Sequence, residues 1–408
     1  MDSVIYFDNN ATTRLASEAL EAMQPYLTEL YGNPSSIHRF GSEVARKVQE
    51  ARERIVALLG ASDPAEIVFT SGGTEGDNAA IRGILEADPS KRHVVTTQVE
   101  HPAVLALCQR LEKKGYRVTW LRVDGEGMLD LNELRDSLTE DTALVSIMYA
   151  NNETGVIFPI DVIGEMVKAK GIPFHVDAVQ MAGKIPLNLK KSPVDLLTIS
   201  GHKFHGPKGV GALYIRRGIT FHPFIIGGHQ ERNRRGGTEN VASIVGMGKA
   251  AEVAQKHLGE EEKRVRALRD QLEESLLDAC PTCRVNGHRE KRVPNTLNVS
   301  FKFLEGEAIL VLLDQYGICA STGSACTAGS VEPSHVLRAM GVPPDWIQGA
   351  VRFSLSRYNS EEEVRLVSEK VPLIVQRLQG LSALGKLADQ QEYQSKDHGT
   401  GDRIGARR

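Results

Sequence analysis

The feature that most narrows the possible folds is a rhythm. From about residue 34 to 280, short apolar runs alternate with stretches of helical period. Val44, Val48, Ala51, Ile55 and the pair Leu58 and Leu59 recur at spacings of three and four, and Gly60 follows as a stop. Ile67-Val68-Phe69-Thr70 then reads as a strand, with further strands expected over 94–97, 143–149, 174–179, 196–200 and 211–215. Helical patterns such as 104–114 and 162–170 separate most of them. Strand–helix alternation of this kind gives an α/β fold with a mostly parallel central sheet covered by helices. A long charged helix around 252–279 breaks the rhythm and leads into a smaller α+β pattern. That pattern has strands near 296–302, 319–322 and 351–356 and helices near 307–315 and 361–378. After about Gln390 the chain is polar and nearly free of apolar residues, which reads as a disordered tail.

Bulk properties exclude several classes. The 408 residues allow two or three domains, and a net charge of −3 gives no global basic field for nucleic acid. No apolar run is long enough to span a bilayer, and Met1-Asp2-Ser3-Val4 does not open a secretory signal. Five cysteines, an odd number, suit a reduced cytoplasmic protein better than a disulfide framework.

Chemistry gathers where strands are expected to end. Lys203 stands in Ser200-Gly201-His202-Lys203-Phe204-His205-Gly206-Pro207, just past an apolar strand. Ligands of open α/β sheets bind at such ends, where a desolvated lysine becomes an imine-forming nucleophile. Asp177 lies in the apolar run Phe174-His175-Val176-Asp177, where a carboxylate needs a partner. A protonated pyridine nitrogen is one such partner, and Gln180 follows three residues on. Ser71-Gly72-Gly73-Thr74-Glu75 opens a helix after a strand and suits an anion, although it is neither a Walker loop nor a dinucleotide fingerprint. Glu100-His101-Pro102 follows another strand, so the His101 imidazole can stack on a ring and move protons. Cys326 sits among small residues as an exposed loop thiol, a candidate nucleophile. Cys280 and Cys283 have no second pair, and no histidine spacing completes a ligand set, so no structural metal is expected.

Taken together these motifs resemble the cysteine desulfurases, closest to the nitrogen-fixation type within the class-V-aminotransferase-like, fold type I pyridoxal-phosphate enzymes. The resemblance runs from Tyr6-Phe7-Asp8-Asn9-Asn10-Ala11-Thr12-Thr13 to Val351-Arg352-Phe353-Ser354-Leu355-Ser356-Arg357. Between them lie Gly32-Asn33-Pro34-Ser35-Ser36, Ala150-Asn151-Asn152-Glu153-Thr154-Gly155 and Arg235-Gly236-Gly237-Thr238-Glu239-Asn240. The Cys326 loop, ending in Glu332-Pro333-Ser334-His335, resembles the branch with an extended catalytic loop. Gly76 stands where many relatives carry Ser or Ala, and the polar tail has no clear counterpart.

The resemblance implies a pyridoxal 5'-phosphate cofactor whose aldehyde bonds to Lys203, with Asp177 on the pyridine nitrogen, Gln180 on the ring hydroxyl and Asn152 also in contact. His101 would stack on the ring; Gly73, Thr74, Ser200 and His202 would hold the phosphate, joined by Thr238 from the other subunit of a homodimer. Arg352 and Asn33 would bind the carboxylate of the substrate L-cysteine, and Cys326 would take its sulfur as a persulfide, leaving alanine. A sulfur-acceptor or scaffold protein for iron–sulfur clusters, including those of nitrogenase, would receive that sulfur. The implied division is 1–15, an N-terminal segment packing with the small domain; 16–258, the large cofactor-binding domain; 259–385, the small domain; and 386–408, the tail. Selenocysteine lyases, sulfinate-releasing desulfurases and aminotransferases share the sheet and the lysine, and dependence on Cys326 separates them. A non-catalytic relay or assembly hub is the other class, and it has no physical need for Lys203, Asp177, Gln180 and Cys326 together.

Overall fold

Strands buried on both faces read as unbroken apolar runs, and that is how the central sheet is built. The computed structural model describes residues 4–322 and 333–381; Cys326 and the stretch from Gln390 lie outside them. In chain order the strands are β1 (Ile5–Tyr6), β2 (Ile67–Thr70), β3 (His93–Thr97), β4 (Arg117–Leu121), β5 (Thr142–Ser146) and β6 (Phe174–Asp177). They continue with β7 (Leu196–Ser200), β8 (Gly211–Ile215), β9 (Cys283–Val285), β10 (Thr296–Phe301), β11 (Ile318–Cys319) and β12 (Ala350–Ser354). Seven of them form one sheet in the order β2-β8-β7-β6-β5-β3-β4. Only β8 runs against the rest, pairing antiparallel with both β2 and β7. The other six therefore end on one edge of the sheet, where ligands of such sheets bind.

Two expectations differ from the structure in detail. Strand β4 carries no strong apolar signal, because it is the sheet's edge and mostly half-exposed. The long helix begins at Val241 rather than near Glu252 and runs to Ala279. Its first turns are small and apolar because they bury against the helix Arg39–Leu59, where a Cβ on Gly248 would stand 2.6 Å from Ala51. That companion helix ends at Gly60, whose φ of 59° closes it in the left-handed conformation.

The long helix joins two apolar cores. Ile244, Met247 and Ala251 belong to the core of the large sheet, whereas Val265, Leu268, Leu272 and Leu276 belong to a second. The second core packs on the antiparallel sheet β12-β10-β9. Ile5 and Phe7 are part of it, and β1 pairs parallel with β11. The N-terminal segment then crosses to the strand ends of the large sheet, so one short stretch touches both cores.

Candidate active site

Strand β7 ends at Ser200, and the tight turn Gly201–Lys203 lifts the lysine onto the sheet edge. The turn closes tightly, since a Cβ on Gly206 would stand 2.8 Å from the Gly201 oxygen. Lys203 Nζ donates to the carbonyls of Ala11, at 2.8 Å, and Asn10. Both acceptors come from the N-terminal segment, so the lysine is dressed by a distant part of the chain.

A cavity of about 300 Å³ opens beside it. Gly73, Thr74, His101, Asn152, Asp177, Gln180, Ser200, His202, Lys203 and Arg352 all line it, together with Asp77. The strand ends explain this convergence: β2, β3, β5, β6 and β7 each deliver their following residues to the same edge.

The floor is acidic. Asp177 Oδ1 accepts the Val179 N–H at 2.9 Å, while its other oxygen takes no hydrogen bond from the described residues. Burial pushes its pKa up to about 6, against the Val179 hydrogen bond and the Lys203 charge. Gln180 donates from Nε2 to the Asn10 carbonyl at 2.9 Å and accepts at Oε1 from Lys184 Nζ at 2.7 Å. Lys184 also donates to Asn10 Oδ1 at 3.2 Å. Burial, with Lys203 and Arg352 nearby, depresses its pKa well below the usual lysine value.

At one end lies the N-terminus of the helix Gly73–Ala87, which has no side-chain cap. Gly73 is pressed against Val179, where a Cβ would stand 2.9 Å from Cγ2. Glu75 Oε2 accepts the Ser71 N–H at 2.8 Å, and Arg235 holds the same carboxylate through Nε at 3.0 Å. Thr74, Ser200 and His202 add polar groups around these amides. The His202 ring lies 3.1 Å from the Thr12 hydroxyl, and burial pulls its pKa to about 4.

His101 caps the helix Pro102–Glu112, its Nδ1 accepting the Ala103 N–H at 3.1 Å. That bond leaves Nε2 to carry the proton of the neutral ring. Burial, then Lys203 and His335, lowers the pKa to about 4, so the ring is neutral at pH 7. Arg352 reaches the cavity from β12, donating through Nη1 to the Asn152 carbonyl at 2.9 Å and through Nη2 to Asp8 Oδ1 at 2.8 Å. Its buried Nε has no hydrogen-bond partner among the described residues.

Two expected residues, Asn33 and Thr238, do not line this cavity, and a third falls where the structure describes nothing. Cys326 lies outside the described residues. Asn33 is exposed, and its Oδ1 accepts the Ser35 N–H at 2.9 Å within a surface turn. Thr238 lines a separate recess with Glu231, Arg235 and Glu239. Conversely, the sequence did not single out Asp77, Lys184, Asp8 or the fully buried Glu100. Gln180 and Lys184 stand in a turn, where spacing alone does not mark a shared site. The four described cysteines, Cys108, Cys280, Cys283 and Cys319, are unpaired, and burial raises the pKa of each. Among the described residues no group of acids, histidines and cysteines could hold a metal, and no helix is long and apolar enough to cross a membrane.

These groups fit pyridoxal phosphate. Uncapped helix amides and hydroxyls suit its phosphate, a lysine stands at the sheet edge for its aldehyde, and the buried Asp177 carboxylate lining the cavity suits a protonated ring nitrogen.

Known proteins resemble this chain over most of its length. The family model for class-V aminotransferases matches residues 5–367. A cysteine desulfurase of Trichormus azollae is 62% identical over 380 residues, covering 93% of this chain and 95% of its own. Among solved structures, a NifS-like protein superposes with a TM-score of 0.87 at 44% identity, covering 92% of this chain and all of its own. A structure described as SspA in complex with cysteine matches with a TM-score of 0.77 at 35% identity, covering 87% of this chain and all of its own.

Proposed function

The chain belongs to the class-V aminotransferase family and is a pyridoxal-phosphate-dependent cysteine desulfurase, and we propose that Lys203, His101, Asp177 and Arg352 carry its reaction, with Cys326 taking the sulfur. The observation that carries this assignment is the single cavity lined by all four described residues. When bound, pyridoxal phosphate supplies an electron sink for charge that develops at the substrate Cα.

The protein's own groups do the rest. Gly73, Thr74, Ser200 and His202 would hold the phosphate, Lys203 the aldehyde, Asp177 the ring nitrogen, and Gln180 the ring hydroxyl, with Asn152 and the His101 ring alongside. Lys184, by donating to Gln180 Oε1, fixes which way that amide points. Arg352 binds the carboxylate of L-cysteine through its planar fork, releasing Asp8. Once Lys203 is free, the carbonyls of Asn10 and Ala11 position its amine, which moves the Cα proton. His101, neutral and protonated at Nε2, donates a hydrogen bond into the cavity. The Cys326 thiolate then takes the substrate sulfur as a persulfide, and alanine leaves. A free-thiol carrier suits a reducing cytoplasm, and an iron–sulfur scaffold protein is the acceptor that we propose.

A homodimer contact near Thr238 is part of this reading. Ile226, Ile37, Tyr31 and Leu27 are exposed by 84%, 101%, 75% and 63%, apolar side chains of the kind that a second copy would cover. Across that contact Thr238 would reach the partner's phosphate, and Asn33 would move toward the substrate carboxylate.

The test is purified holoenzyme with L-cysteine and a reductant, scored for sulfide, alanine and the visible spectrum. Equal sulfide and alanine from wild type, with Lys203→Ala and Cys326→Ala both inactive, is the expected outcome. A Cys326→Ala enzyme that still releases sulfide would remove that residue from the mechanism.

A further inference from the structure

Asp77 has no role so far, although it lines the cavity and is 1% exposed. It sits on the helix Gly73–Ala87, one turn beyond Thr74. Its Oδ1 accepts no hydrogen bond from the described residues and lies 3.6 Å from His175 Nε2. The Thr198 hydroxyl lies beside the carboxyl and stands 3.0 Å from the same His175 nitrogen. On the far side of the ring, His175 Nδ1 is 2.9 Å from the Ser146 hydroxyl. A buried chain therefore runs Asp77–Thr198–His175–Ser146 across strands β7, β6 and β5.

The polarity of this chain follows the ionisation of its carboxyl. With Asp77 ionised, Thr198 donates to it, His175 Nε2–H donates to Thr198, and Ser146 donates to Nδ1. With Asp77 protonated, each of these bonds can reverse. Gly76 makes the approach possible, because a Cβ there would stand 2.6 Å from Thr198 Cγ2.

Among the described residues, the groups that act on Asp77 include no cation. The titratable groups facing Asp77 are the carboxyls of Asp177 and Glu100 and the imidazole of His175. Burial holds that imidazole neutral, with a pKa of about 3. Burial first, then Asp177 and Glu100, holds the Asp77 proton well above the usual carboxylate range, against the Thr198 hydrogen bond. A protonated pyridine ring entering the cavity would supply the missing cation.

We propose that Asp77 is a positioning residue for the cofactor's ring nitrogen: a second carboxyl, beside Thr198, His175 and Ser146, that gives up its proton when the positively charged ring arrives and then adds negative potential that keeps the nitrogen protonated. The proposal rests on reading Asp177 as the nitrogen's partner. It acts through charge, so its signature is a titration rather than a turnover number.

The experiment is a pH titration of the holoenzyme's visible band in wild type, Asp77→Asn and Thr198→Val. Removing a buried carboxylate lowers the proton affinity of the bound cofactor. The Asn variant's midpoint should fall by about one pH unit, the effect of one unit charge several ångströms away in a protein interior. Thr198→Val removes only the connecting hydroxyl and should move the midpoint the same way by less. It also decides the matter if Asp77→Asn fails to fold. A folded Asp77→Asn enzyme whose titration overlays wild type overturns the proposal, as does an unmoved Thr198→Val when that variant alone is soluble. Wild type without a visible band would instead overturn the cofactor assignment, so the two failures are distinct.

Discussion

Replacing Arg352 with lysine should cost the enzyme its grip on L-cysteine while leaving the bound cofactor undisturbed. Arg352 is 2% exposed. Nη1 is committed to the Asn152 carbonyl, Nη2 to Asp8, and Nε has no partner among the described residues. An arriving carboxylate can take Nε and displace Asp8 from Nη2, using two donors on one edge of the guanidinium. Asp8 has 18% of its side chain exposed and can turn to water. A charge-assisted hydrogen bond is worth about 1.5–3 kcal/mol. Lysine keeps the charge but not the fork, so the loss is about 2–3 kcal/mol, which raises KM roughly 30- to 150-fold. Sulfide release against L-cysteine concentration measures it, with the visible spectrum as control. Asp8→Asn, which removes the competing charge, should leave KM equal or lower. A KM for Arg352→Lys within threefold of wild type, with an unchanged spectrum, would refute the carboxylate assignment.

Two further predictions concern buried charge. Glu231 has a φ of 47° and accepts from Arg52 Nη1 at 2.7 Å, Arg52 Nη2 at 2.8 Å and the Phe69 N–H at 3.0 Å. Arg52→Met strands that carboxylate and should cost about 3–5 kcal/mol, whereas adding Glu231→Leu should recover part of the loss. Denaturant midpoints of the two variants that coincide would contradict this coupling. Glu100 is fully buried, and burial raises its pKa to about 8 against hydrogen bonds from Thr97 and Met148. A carboxyl with a raised folded pKa contributes stability below its unfolded value near 4.5, and that contribution is lost as pH climbs through 8. Glu100→Gln, which keeps an acceptor for both donors, should therefore gain stability relative to wild type between pH 5 and pH 8. Denaturant unfolding at both pH values checks it, and a constant difference would be the contrary result.

The sequence showed what short-range patterns can show. Apolar runs marked the buried strands, and Gly60 marked a helix end, because both follow from local conformation and burial. Lys203, Asp177, Gln180, His101 and Gly73 were legible because each stands beside an expected strand end. Arg352 and Asn152 came through the resemblance instead, since nothing local marks them as neighbours. Asp77 and Lys184 were missed for a related reason. An aspartate in a helix and a lysine in a loop look solvated until the fold brings Thr198, Asn10 and Gln180 around them. The early start of the long helix was hidden because its first turns pack against another helix and need no polar face.

Asn10 has a consequence for how the molecule comes into being. Its amide N–H donates to the Ser354 hydroxyl, its side chain meets Asn152, Lys184, Asn295 and Thr296, and its carbonyl receives Gln180 and Lys203. During synthesis this residue leaves the ribosome long before Ser354 exists to receive it. The earliest stretch of the chain must wait, unseated, for one of the last strands. Until that closure Lys203 lacks the carbonyls that orient its amine, so a nascent chain cannot display a finished reactive lysine before its second core is made.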